Sequence, residues 1–108
     1  MNVINFHSEE ALARIQNLKT GVIVSENGGE LEREFIPQNG KVFSLKELQE
    51  AVRGHIEIYP HETDITGKVV IVNEEGRIYR MSPNMLAAVK YDIDAVGPVV
   101  IIPKDQIE

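Results

Sequence analysis

Arg77 and Arg80 flank Tyr79 on one short segment, and Ser82-Pro83-Asn84 follows with the residues of a helix start. A guanidinium beside an aromatic ring is suited to a base and a phosphate, and the N–H groups at a helix start point toward an anion. Arg53 closes an earlier helical pattern and lies near the next strand, so it is a third cation placed to join them. Arg77, Tyr79, Arg80, Ser82, Asn84 and Arg53 together form the sharpest ligand hypothesis in the chain, a site for a small phosphorylated or nucleotide molecule. The competing reading makes Arg77 and Arg80 ordinary surface charges that balance nearby carboxylates and contribute little.

Other residues able to do chemistry are fewer. His55 and Glu57 share one face of a strand pattern and His61 lies just beyond its end, which is the chain's closest approach to a metal constellation. Structural zinc needs four ligands and catalytic zinc three well-placed ones, so the polar face of a half-buried strand explains these residues equally well, and no metal is expected. Glu74 and Glu75 would serve as an acid/base pair only if burial raised one carboxyl, and an exposed turn does not supply that burial. Ser8, Ser44 and Ser82 each stand where a helix cap belongs. No phosphate-cradling glycine loop, nucleophile elbow or H-E-x-x-H pair is present, so neither enzyme activity nor a cofactor is expected.

Composition narrows the setting. The chain has 108 residues, 43% of them hydrophobic and 26% charged, which suits one soluble domain spanning 1–108. No apolar run approaches a membrane span, and the first residues lack the basic and apolar regions of a secretory signal. The absence of cysteine excludes disulfides and thiol chemistry and fits a reducing cytoplasm. Seventeen acidic against eleven basic residues give a net charge of −6, which argues against a nucleic-acid backbone as partner.

The elements that must position these residues follow from periodicity. Ser8 with Glu9 and Glu10 predicts a helix over 8–18, whose apolar face is Leu12, Ile15 and Leu18. Gly21–Ser25 and Leu31–Ile36 read as a hairpin about Asn27-Gly28-Gly29. Ser44-Leu45-Lys46-Glu47 is a capping box for a helix over 45–53, with Gly54 as its left-handed stop. Ile56 and Ile58 alternate with His55, Glu57 and Tyr59 as a strand. Val69–Val72 is a continuous apolar strand near the sheet centre. Asn73-Glu74-Glu75-Gly76 turns the chain into a strand over Arg77–Arg80, with Asn73 bonding its own turn and Gly76 expected to need positive φ. A helix from Ser82-Pro83-Asn84 carries Met85, Leu86 and Val89, and Gly97–Ile102 closes the fold. The result is α+β: a single mostly antiparallel sheet with about three short helices packed on a face.

Three segments also carry a family pattern: Phe43 to Gln49 with Val52, Gly54, Ile56 and Glu57; Asn73-Glu74-Glu75-Gly76; and Pro83-Asn84 followed by Val96-Gly97. The chain resembles a domain-of-unknown-function family of small proteins borne by phages, plasmids and integrated mobile elements, with an L-Q-x-x-V-x-G-x-I-E, N-E-E-G and proline-asparagine pattern. The likeness covers about residues 20–102 and leaves 1–19 as an N-terminal helical extension. Arg53-Gly54 departs from it, since the family often has two glycines there. The resemblance implies a mobile-element setting in a bacterial host, where small accessory proteins act on host defence, and assigns no reaction or ligand.

The leading expectation is thus a non-enzymatic accessory protein that sequesters a small nucleotide-derived defence signal. A homo-oligomer is expected with it, because so short a chain builds a pocket most easily between copies. The alternative is an acidic, DNA-mimicking inhibitor that binds a host defence enzyme.

Overall fold

The structure, a computed structural model, describes residues 3–26, 32–63 and 65–107. The elements run α1 (Val3–Asn17), β1 (Gly21–Val24), β2 (Glu32–Phe35), α2 (Leu45–Val52), β3 (Ile56–Ile58), β4 (Lys68–Asn73), α3 (Met85–Tyr91) and β5 (Val99–Pro103), with a final 3₁₀ turn over Lys104–Gln106. The strands form one sheet in the order β2-β1-β5-β4-β3, and every neighbouring pair is antiparallel. The α+β class read from the sequence is therefore the class of the fold. The Asn27-Gly28-Gly29 turn and Leu31 lie outside the described residues.

Period-two alternation on the middle strand builds two cores at once. Val99 and Ile101 of β5 point to one face, where they meet Val22, Val24, Val70 and Val72 beneath Ile15 of α1 and Tyr91 of α3. Val100 and Ile102 point to the other, with Ile23, Phe43 and Ile71 beneath Leu48 and Val52 of α2. The helices thus divide between the two faces instead of covering one. The apolar run Val99–Ile102 is continuous because both its faces are buried. β5 takes the centre, and β4 lies next to it.

Local signals held where their partners are also local. Ser44 caps α2: its Oγ accepts from Glu47 N at 3.1 Å, and Ser44 N donates to Glu47 Oε1 at 3.0 Å. Those backbone bonds from Ser44, with one from Gln38, hold the Glu47 carboxyl below its ordinary range. Asn73 likewise accepts from Glu75 N at 2.7 Å, as its turn requires.

Four other expectations are corrected. α1 begins at Val3, so Ser8 lies within the helix and not at its start; no glycine or proline upstream stops the helix from extending. The left-handed residue closing α2 is Arg53 at φ 62°, not Gly54. Gly54 is needed for space, since a Cβ there would stand 2.7 Å from Asn73 Nδ2. Gly76 too has no positive φ; a Cβ would meet Val96 Cγ2 at 2.8 Å. Finally, Arg77–Arg80 is not a strand but a run of turns from Glu74 to Arg80, in which Tyr79 N donates to Glu75 O at 3.0 Å and Met81 N to Gly76 O at 2.9 Å. β4 already has β3 on one side and β5 on the other, so neither of its edges is left for the segment that follows it to pair with.

Candidate ligand-binding cleft

The Glu74–Arg80 turns and the stretch Asp94–Val96 lie over the outer end of β3 and β4 and leave a cleft of about 200 Å³ between them. Val72, Ile78, Ala95 and Val96 supply its apolar surface; Glu57, Tyr59, His61, Glu74, Arg77 and Asp94 supply the polar groups. Alternation along β3 puts Glu57 on the same face as Val72, to which it is paired. Tyr59 continues that face, with its N–H bonded to Val70 O at 2.8 Å. Its hydroxyl accepts from Asp94 N at 2.9 Å, so the ring is fixed by a residue 35 positions away. His61 meets that ring edge-on, with centroids 5.2 Å apart and planes at 73°. Across the cleft the Arg77 guanidinium lies 3.7 Å from the Asp94 carboxylate, both well exposed.

Two buried amides hold the elements from which the cleft is built. Asn73, 5% exposed, donates from Nδ2 to Val52 O at 2.9 Å and so ties β4 to the end of α2. Asn84, 1% exposed, donates to Val24 O and Gly97 O, both at 2.9 Å, while its Oδ1 accepts from Ala87 N as the cap of α3. With Gly54 against Asn73 and Gly76 against Val96, these contacts account structurally for several residues of the pattern noted in the sequence.

Of the six residues expected to bind a ligand, Arg77 alone lines the cleft. Tyr79 and Arg80 are exposed on the turns beyond it, and Arg80 is left-handed at φ 56°. The cap of α3 is Asn84 and not Ser82, whose carbonyl instead accepts from Gly97 N at 2.8 Å. Asn84 spends its side chain on the fold, and Arg53 is bonded to Glu26. His55 lies 3.5 Å from Glu75 instead of joining His61, and among the described residues no three His, Cys, Asp or Glu side chains gather to hold a metal. Tyr59, Ile78 and Asp94 carried no local signal in the sequence, because the loops that unite them are distant in the chain.

A second polar cluster occupies the other edge of the sheet. Glu32 of β2 receives Tyr91 Oη at 2.7 Å, Arg14 at 2.7 Å and Lys90 at 3.2 Å. Burial pushes its carboxyl up, but the bonds from Tyr91 and Arg14 and the Lys90 charge outweigh this and hold it below its ordinary value. Burial, and then the bond to Glu32, pushes the Tyr91 phenol well up.

A family model for a domain of unknown function, DUF3846, matches residues 18–108, and the chain belongs to that family. The match takes in the sheet, α2, α3 and the whole cleft and leaves out α1. No curated protein and no solved structure matches the chain.

Proposed function

We propose that this protein is a non-enzymatic binding protein that captures a small nucleotide-derived molecule in the cleft beside β3. In the mobile-element setting implied by the sequence resemblance, capture sequesters a defence signal in the cytoplasm of a bacterial host. The observation that carries the reading is the convergence of Tyr59, His61 and Arg77 on one partly apolar cleft. Small-ligand sites have this makeup, an apolar surface with a few directed polar groups. The Tyr59 and His61 rings offer faces and edges for a base, Glu57 and Asp94 accept from its amino groups, and Arg77 exchanges Asp94 for a phosphate.

Isothermal titration against cyclic nucleotides and ADP-ribose-type molecules tests the proposal. The expected outcome is stoichiometric binding by one of them, its release intact on denaturation, and loss of the heat in Arg77→Ala. No heat across the panel overturns the reading, and release of a chemically altered molecule makes the protein an enzyme. Salt-sensitive capture of a host protein without any nucleotide binding replaces it with the acidic-inhibitor alternative.

A further inference from the structure

The two edges of the sheet are built differently. β2 at one edge reads Glu32-Arg33-Glu34-Phe35, a strand whose charges discourage pairing with another chain. β3 at the other edge reads Ile56-Glu57-Ile58, and Ile58 is 62% exposed. Glu74 N donates to His55 O and Tyr59 N to Val70 O, so residues 55, 57 and 59 are the ones that face β4. Alternation then turns the N–H and C=O groups of Ile56 and Ile58 outward. Among the described residues these groups have no partner. Ile78, on the turns above the same edge, is 74% exposed. An open, partly apolar strand edge without a guarding charge that faces outward is a site for strand addition.

We infer that β3 pairs with β3 of a second copy of this chain, antiparallel about a twofold axis through Ile58. The occupant and the register follow from which residues would meet. Pairing β3 with the β2 edge of another copy sets Ile58 among Arg33 and Glu34, an apolar residue against charges. Self-pairing centred on Glu57 opposes two carboxylates directly, which is destabilising. Self-pairing centred on Ile58 places Ile58 against its own copy and Glu57 against the partner's Tyr59. Both Ile58 residues exchange N–H···O=C bonds there, and each Ile56 N–H reaches the partner's Pro60 carbonyl. Pro60, which has no N–H, ends the ladder. A twofold contact of this kind closes on itself and does not propagate.

This assembly also bears on the cleft. Glu57 and Tyr59 line it from the paired strand itself, so each cleft acquires a wall from the partner. A cavity of about 200 Å³ is below the usual span of small-molecule sites, roughly 300–1,000 Å³. The enlargement rests on the binding function proposed above, but the pairing does not, and the two are tested separately.

Light scattering over a concentration series, without ligand, is expected to give twice the 12.1 kDa of the chain at the upper end. Ile58→Lys is expected to give the monomer with an unchanged circular dichroism spectrum and the melting temperature that the wild type shows when diluted to monomer. Ile58→Pro removes an outward N–H and no bond within the sheet, and is expected to do the same through the backbone. The register is read by cysteine pairing, since the chain has no cysteine of its own. Ile58→Cys is expected to oxidise to a covalent dimer, because hydrogen-bonded residues facing each other have Cα atoms about 5.5 Å apart, within disulfide reach. Glu57→Cys is expected to stay largely monomeric under the same oxidant. A monomer at every concentration overturns the inference, as does a dimer that survives both Ile58→Lys and Ile58→Pro, or crosslinking through Glu57→Cys in place of Ile58→Cys. Nucleotide binding by a monomer would leave the proposed function standing and remove this assembly; a dimer that binds no nucleotide would do the reverse.

Discussion

Glu32 at the β2 edge and Glu57 at the β3 edge are both strand carboxylates, but their surroundings differ. Glu32 has a side chain only 13% exposed and is met by a phenol, a guanidinium and an ammonium from two helices. Glu57 is exposed, beside a cleft in which Arg77 pairs with Asp94 at 3.7 Å, both side chains well solvated. A low-dielectric site makes an unpaired carboxylate costly, so a buried one must be surrounded by donors. The first cluster is saturated and ties α1 and α3 to the sheet edge. The second leaves donors and acceptors free to exchange for those of a ligand. In this fold hydrogen-bonding saturation separates the polar groups that hold the chain together from those available for binding.

The largest effect should come from removing the centre of the saturated cluster. Tyr91→Ala deletes a fully buried ring and the hydroxyl on Glu32, and is expected to cost about 3–5 kcal/mol in urea unfolding. Tyr91→Phe keeps the ring and should lose only about 1.5–3 kcal/mol, the range for a hydrogen bond to a charged group. If both variants unfold at the wild-type midpoint, the cluster is not structural.

Acid should act on the same cluster next. Glu32 has a folded pKa below its unfolded value, so its stabilisation is complete above the ordinary value near 4.5 and is lost as pH falls through the folded pKa. Stability measured from neutral pH into that window should decline, and Glu32→Gln should flatten the decline. At the alkaline end the sign runs the other way. The Tyr91 phenol is raised above 10, so stability falls as pH rises past that value, where the unfolded chain ionises first.

The smallest stability effect belongs to the open cluster. Arg77→Ala, alone or with Arg80→Ala, should change unfolding free energy by no more than about 0.5 kcal/mol, as expected of exposed surface substitutions. A loss of several times that size would place Arg77 with Glu32 as part of the framework.

The parts legible in sequence were those decided within a few residues. Ser44 and Glu47 form their capping box across one turn, Asn73 bonds its own turn, and the apolar run of β5 announces a strand buried on both faces. Gly54, Asn73, Gly76 and Asn84 stood out in the sequence for a related reason: they are residue types with few substitutes in their roles. What those roles are was less legible. Gly54 and Gly76 looked like residues chosen for backbone freedom, yet each makes room for a side chain some twenty residues away, Asn73 and Val96. Arg53 takes the left-handed conformation itself.

The α+β class, the three helices, five of the six expected strands and the capping of α2 could be read from the chain alone, because hydrophobic period and capping chemistry act over one or two turns of chain. Only the tertiary structure decided that the helices divide between two faces, that β5 lies between β1 and β4, and that Arg77 faces Asp94 while Asn84 turns inward. Those outcomes depend on which sheet edges are already occupied and on contacts such as Asn84 with Val24, 60 residues apart. No local pattern encodes such a pairing, since its free energy exists only once the intervening chain has folded.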